Sequence, residues 1–179
     1  MTVKGTDKGI DEEAGQSWDA IFETEVLPEW VDYNGHMNVA YYVLVFDGAT
    51  DAFMDRIGLD AQRRKRDGNT LFTVEGHITY KSEVHLGDRL VCDLQLLGYD
   101  EKRLRFMSRM YHKEKGYLAA TMEWLHLHVD LKSRRVTPIP EDVSAKLAGI
   151  LEAQSGAPWP EEAGRAITRP EGCALGQKR

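Results

Sequence analysis

Residues Val39 to Ile57 carry the strongest helical pattern in the chain, and the first two turns, Val-Ala-Tyr-Tyr-Val-Leu-Val-Phe, are apolar on nearly every side. A helix of that kind belongs inside a protein, covered by other elements. Asp47, Asp51 and Asp55 recur at a spacing of four along it, and Gly58 supplies its stop. The next hundred residues show little further helical pattern. Thr70–Val84, Arg89–Tyr99, Arg103–His112 and Tyr117–Asp130 read as strands, with turn residues at Gly87-Asp88, Gly98 to Glu101 and Lys113 to Gly116. One long buried helix set before an antiparallel meander predicts an α+β fold, with a sheet wrapped around a central helix.

The rest of the chain frames that unit. Residues 1–18 are rich in Gly and charge and predict a flexible arm; 19–154 form one domain; 155–179 are rich in Gly and Pro and predict a loosely ordered tail. Phe22 to Trp30 contains a short strand that Pro28 confines to an edge or an end. Residues 61–69 read as a basic loop, and Val143 to Ala153 as a short helix. A chain of 179 residues, 42% apolar, has enough core to stand without staples. Cys92 and Cys173 lie far apart and suggest neither a disulfide framework nor a C-x-x-C site, which fits the cytoplasm. Neither a signal peptide nor an apolar run of transmembrane length is expected. A net charge of −6 argues against general nucleic-acid binding.

The chemistry concentrates in Asp32-Tyr33-Asn34-Gly35-His36-Met37-Asn38, directly before the apolar helix. A carboxylate, a turn and a helix start within seven residues place an acid or nucleophile beside backbone N–H groups free to bind an oxyanion. Acyl transfer needs both. Two readings of Asp32 stand here: a turn residue capping Asn34-Gly35, or the reacting carboxylate. Asn38 can cap the helix or bond the attacking water, and capping is what an Asn before an apolar run ordinarily does.

Together with the string His77-Ile-Thr-Tyr-Lys-Ser-Glu-Val-His-Leu-Gly-Asp-Arg-Leu90, this heptad resembles the hotdog-fold thioesterases of the 4-hydroxybenzoyl-CoA thioesterase branch, over roughly residues 22 to 132. The longer strings Pro28 to Asp47 and Gly116 to Leu131 are similar to the betainyl-CoA thioesterases of carnitine breakdown. The resemblance implies hydrolysis of an acyl-CoA thioester by a homodimer or homotetramer with active sites at the subunit interface and no metal or other cofactor; CoA enters as part of the substrate. It also implies that Asp32 is the catalytic carboxylate, as nucleophile or as base to a water. The Val39 N–H, seven residues on, then becomes the oxyanion donor.

Other candidates surround that centre. Glu75 and His77 share a strand face, with Val74, Ile78 and Tyr80 on the other; Glu75 can serve as a base or meet a cationic acyl group, or the pair can be a solvated face. His36 can hold Asp32 or the ligand. Trp30, Tyr33 and Trp124 can box a trimethylammonium group, and each is otherwise a core aromatic. Arg63, Arg64 and Arg66 can meet the CoA phosphates or lie in a solvated run, with Arg103, Arg105, Arg134 and Arg135 as rivals. His126 and His128 have a spacing that can bind metal, but no third ligand accompanies them, so a hydrogen-bonded pair is expected. The rival functions are a non-catalytic acyl-CoA-binding hotdog protein, a thioesterase for another short or aromatic acyl group, and a hotdog dehydratase. The heptad argues against the last.

Overall fold

A computed structural model describes residues 20–167; the expected arm over 1–18 and the end of the tail, with Cys173, lie outside them. In chain order the elements are β1 (Phe22–Glu25), a 3-10 turn (Pro28–Trp30), α1 (Val39–Ile57), α2 (Ala61–Asp67), β2 (Asn69–Tyr80), β3 (Arg89–Tyr99), β4 (Arg103–His112), β5 (Leu118–Asp130), β6 (Arg135–Val136) and α3 (Glu141–Ala153). The strands form one sheet in the order β1-β3-β4-β5-β2, with β6 beside β5. Every pairing is antiparallel. This is the expected α+β hotdog: a meander from β3 to β5, with β2 carried back to the far edge and α1 held against one face.

Alternation along the strands builds that face. Leu90, Cys92, Leu94 and Leu96 of β3, Leu104, Phe106 and Met110 of β4, and Ala120, Met122 and Trp124 of β5 all bury their side chains in the core. From α1, Phe46, Phe53 and Ile57 enter it, each at most 1% exposed, and Phe53 packs on Phe106 with ring centroids 5.2 Å apart. Full burial of one such side chain stabilises the fold by about 1.5–3 kcal/mol. Gly48 lets β1 approach α1, since a Cβ there would stand 2.7 Å from the Phe22 ring.

The helix departs from expectation in one respect. Val39, Val43 and Leu44 are 59%, 37% and 50% exposed. The sheet covers one side of α1, and these three side chains on the other side stay uncovered by the described residues. Residues 61–69 are also not a loop. Asp60 Oδ1 accepts the Arg63 N–H at 2.7 Å, Arg63 pairs with Asp67 one turn on, and Gly68 ends the helix with φ of 70°. The cap, the pair and the glycine all stand in the sequence, outweighed there by the charge run. β2 ends at Tyr80, before the expected Val84, because the N–H groups of Lys81 and Ser82 both turn to the Ala119 carbonyl. On the outer face, residues 155–167 meet the sheet: the Gln95 amide donates to the Pro158 carbonyl at 3.1 Å, and Lys81 pairs with Glu162. Among the described residues no helix is long and apolar enough to cross a membrane.

Candidate active site

The Asp32 turn is closed by backbone. Val31 and Met37 form an antiparallel bridge, Gly35 N–H donates to the Asp32 carbonyl at 3.0 Å, and Asp32 N–H donates to the His36 carbonyl at 3.2 Å. Gly35 takes φ of 83°, a conformation that side chains with a Cβ rarely adopt. Within this loop the carboxylate of Asp32 is held at both oxygens. Oδ1 accepts the Asn34 N–H at 2.8 Å and Oδ2 accepts the Asn38 side-chain amide at 3.1 Å. The Asn34 N–H foremost and then the Asn38 amide, with a smaller electrostatic influence of nearby His36, keep the carboxyl below its ordinary range against the partial loss of solvent. The turn reading and the chemical reading of Asp32 therefore coexist, because a carboxylate has lone pairs to spare after two hydrogen bonds.

Asn38 takes its expected capping role and adds a bond to Asp32 that its place in the sequence did not suggest. Its Oδ1 caps α1 by accepting the Ala40 N–H at 3.0 Å while its Nδ2 holds Asp32. That cap leaves the Val39 N–H unclaimed among the described residues, at the positive end of a nineteen-residue helix. Carboxylate and free N–H are thus linked through a single side chain.

The loop after β2 holds this turn in place. Met37 N–H donates to the Val84 carbonyl at 2.8 Å, and His85 Nδ1 lies 3.2 Å from the Gly35 carbonyl. Asp88 Oδ2 accepts the His85 N–H at 2.8 Å, and its other oxygen lies 3.2 Å from Nε2 of the buried His112. His36 reaches Glu83 at 3.5 Å. The second sequence string therefore supports the first one physically. No pattern in the strand sequence signals these roles for Glu83, His85 and Asp88, because they depend on a contact between distant segments. Tyr80, also unassigned by sequence, donates its hydroxyl to the Val39 carbonyl at 3.4 Å.

Several candidates lie elsewhere. Glu75 and His77 do share a face, across from Leu125 and Glu123, but it is the outer face of the sheet, beside Arg105 and Gly164. A bulge at Val74 re-sets the alternation there, and Ile78 and Tyr80 take the inner face. Of the aromatics, Trp30 stacks on Tyr41 (5.5 Å, 15°), Tyr33 is 96% exposed at the turn's tip and Trp124 is 5% exposed in the core. They do not converge. Asp47 and Asp51 lie on the exposed flank of α1, with the Asp47 carboxyl raised by partial burial and then by Asp51.

Arg63, Arg64 and Arg66 belong to α2, beyond the far end of α1, about 28 Å along the helix from Val39. Arg63 grips Asp142 through both terminal nitrogens and Arg66 grips Asp67, so these cations do not gather at Asp32 within one chain. Among the rivals, Arg103 pairs with Asp100, Arg105 with Glu123, and Arg134 lies over the Phe72 ring. The two histidines of β5 are buried hydrogen-bonding groups. His126 Nε2 lies 3.0 Å from Thr73 Oγ1, His128 Nδ1 lies 3.0 Å from the Thr137 carbonyl, and burial lowers the His126 pKa to about 4.

A carboxylate beside an unclaimed helix N–H is the equipment of acyl transfer, and the comparisons agree with that chemistry. Residues 26–147 match the Thioesterase-like superfamily. The chain is 46% identical over 149 residues to a betainyl-CoA thioesterase of Pseudomonas aeruginosa, covering 83% of this chain and 94% of that one. It is 39% identical over 159 residues to an L-carnitine dehydrogenase/betainyl-CoA thioesterase of Rhizobium meliloti, covering 89% of this chain but 30% of that longer protein. A Staphylococcus aureus protein solved in complex with CoA superposes with a TM-score of 0.78 at 34% identity, over 83% of this chain and 94% of that one.

Proposed function

The chain belongs to the thioesterase-like superfamily and is a hotdog-fold thioester hydrolase, and we propose that its substrate is betainyl-CoA, cleaved to glycine betaine and CoA in carnitine degradation. The observation that carries the mechanism is the pairing of the Asp32 carboxylate with the free Val39 N–H through Asn38. The thioester oxygen docks at the Val39 N–H, where a hydrogen bond and the helix dipole stabilise the negative charge that develops on it. Asp32 attacks the carbonyl carbon, or takes a proton from the water that does, and CoA leaves as the thiolate. In the first case water then cleaves the mixed anhydride. So written, the reaction calls on no resident metal or cofactor; CoA arrives and departs with the substrate.

We place the enzyme in the cytoplasm as a homodimer. Cys92 is a buried free thiol, which suits a reducing compartment. The exposed side of α1 and the edge of β2 that no other described strand pairs, with Val74 51% exposed, offer a second copy an apolar face and a strand to extend. Helix ends meeting at such an interface would bring Asp32, and the CoA phosphates, near the partner's cations.

The test is release of free CoA thiol from betainyl-CoA, short straight-chain acyl-CoAs and an aromatic acyl-CoA. Fast release confined to betainyl-CoA is the expected result. Release confined to a neutral acyl group would keep the hydrolase and remove the substrate. No release, with binding intact, would favour an acyl-CoA-binding protein.

A further inference from the structure

We propose that Tyr80 is the aromatic wall that meets the cationic end of the acyl group, with Glu83 adding negative charge beyond it. The inference rests on the betainyl-CoA reading. In that substrate the quaternary nitrogen stands one methylene away from the thioester carbon. Wherever the thioester oxygen meets the Val39 N–H, the trimethylammonium group must therefore lie close by, within the same small space at the head of α1.

Tyr80 is an aromatic ring that the structure fixes against Val39 itself. Its hydroxyl bonds the carbonyl of Val39, the same residue whose N–H receives the oxygen, and its side of β2 is the inner one. The residue is 47% exposed, so a ligand can reach it. Behind it stands Tyr42, 4% exposed, at 5.2 Å and 89°, which braces the ring edge-to-face and keeps its orientation. Tyr42 is held in turn by its hydroxyl on the Ser82 carbonyl at 3.4 Å. Glu83 follows directly in the chain, its side chain 67% exposed and next to His36. Asp32, bonded to the Asn38 side chain next to Val39, supplies a second carboxylate. A desolvated trimethylammonium over an aromatic face gains about 2 kcal/mol, a factor of about 30 in binding.

Trp30, Tyr33 and Trp124, the rings first expected to form such a cage, do not compete. One is stacked on Tyr41, one points into solvent and one is closed within the core.

The experiment compares kcat/KM for betainyl-CoA and for 3,3-dimethylbutyryl-CoA, which has the same shape with a quaternary carbon in place of nitrogen. Tyr80→Leu should lower the cation-to-neutral ratio by about 30-fold, whereas Tyr80→Phe, which keeps the ring, should hold it within about threefold of wild type. Tyr80→Gln, suited to a half-exposed strand position, replaces the leucine variant should that one not fold. An unchanged ratio in the ring-deleted enzyme, including equal losses on both substrates, overturns the proposal while leaving betainyl-CoA as substrate. A wild-type enzyme that does not prefer the cation overturns the substrate reading and this inference with it.

Discussion

Carboxylates stand on both sides of the same sheet, one at the head of α1 and a cluster on the outer face, and their partners set them apart. At the head of α1, Asp32 is held by neutral donors, a backbone N–H and a side-chain amide. On the outer face, Asp93 receives two bonds from the Arg109 guanidinium at 2.9 and 3.0 Å, and Glu123 receives Arg105 together with the Gly164 N–H. Neutral donors keep a carboxylate ionised and oriented without cancelling its charge. A guanidinium cancels it and occupies the geometry a reactant would need. The outer cluster ties strands and the segment 155–167 together. At the head of α1 the Asp32 charge is left uncancelled beside an N–H unclaimed among the described residues. A cluster of charged residues therefore says little about chemistry until its donors are known.

The sharpest way to break that contrast is Asp32→Asn, which keeps the turn and removes the charge. Turnover should fall by about 10³-fold while substrate binding persists, the range expected for a positioned acid or base. Retained turnover would move the chemistry off the inner face altogether. Asn38→Ala removes both the helix cap, worth about 1 kcal/mol, and one of the two bonds on Asp32. A drop in kcat of about tenfold is expected, with a lower midpoint in urea unfolding; loss of stability with kcat unchanged would make Asn38 a cap alone.

The pH profile probes the same bonds. In the proposed mechanism Asp32 acts as the anion, and the Asn34 N–H holds its carboxyl below the ordinary range. Activity is present above that folded-state pKa and is lost as pH falls through it, so the acid limb assigned to Asp32 should lie below ordinary carboxylate values. Asn38→Ala should move that limb upward, and an unmoved limb would remove Asn38 from the support of the charge. The smallest effect belongs to the outer face. Glu75→Gln should change kcat/KM by less than about threefold, since Glu75 shares its face with Arg105 and Glu123 and not with Asp32. A larger loss would show that the outer face reaches the reaction, for instance across a subunit boundary.

Much of this molecule is readable from local chemistry. α1 runs from Val39 to Ile57 as its pattern dictates, because Asn38 and Gly58 are adjacent to the residues they cap. β3 and β4 begin and end where alternation and turn residues place them, and the pairing of Asp32 with a helix start needs only seven residues of chain. Period, caps and turns act over a few residues, and a sequence displays them directly.

What the tertiary structure decided are the relations between distant segments. Nothing near Glu75 in the chain says that its face is the outer one; that follows from α1 packing against the other side. Nothing near Tyr80 says that its hydroxyl lies 41 residues back along the chain, on the Val39 carbonyl. His85, Asp88 and His112 brace the Asp32 turn through loop contacts that leave no periodic trace. Arg63 carries the same charge on paper whether it faces a phosphate or, as here, Asp142. The sequence by itself determined α1, the main strands and the placing of the Asp32 carboxylate at a helix start. Packing decided which polar residues share its space, because contact across a fold depends on three-dimensional distance, which spacing along a chain does not encode.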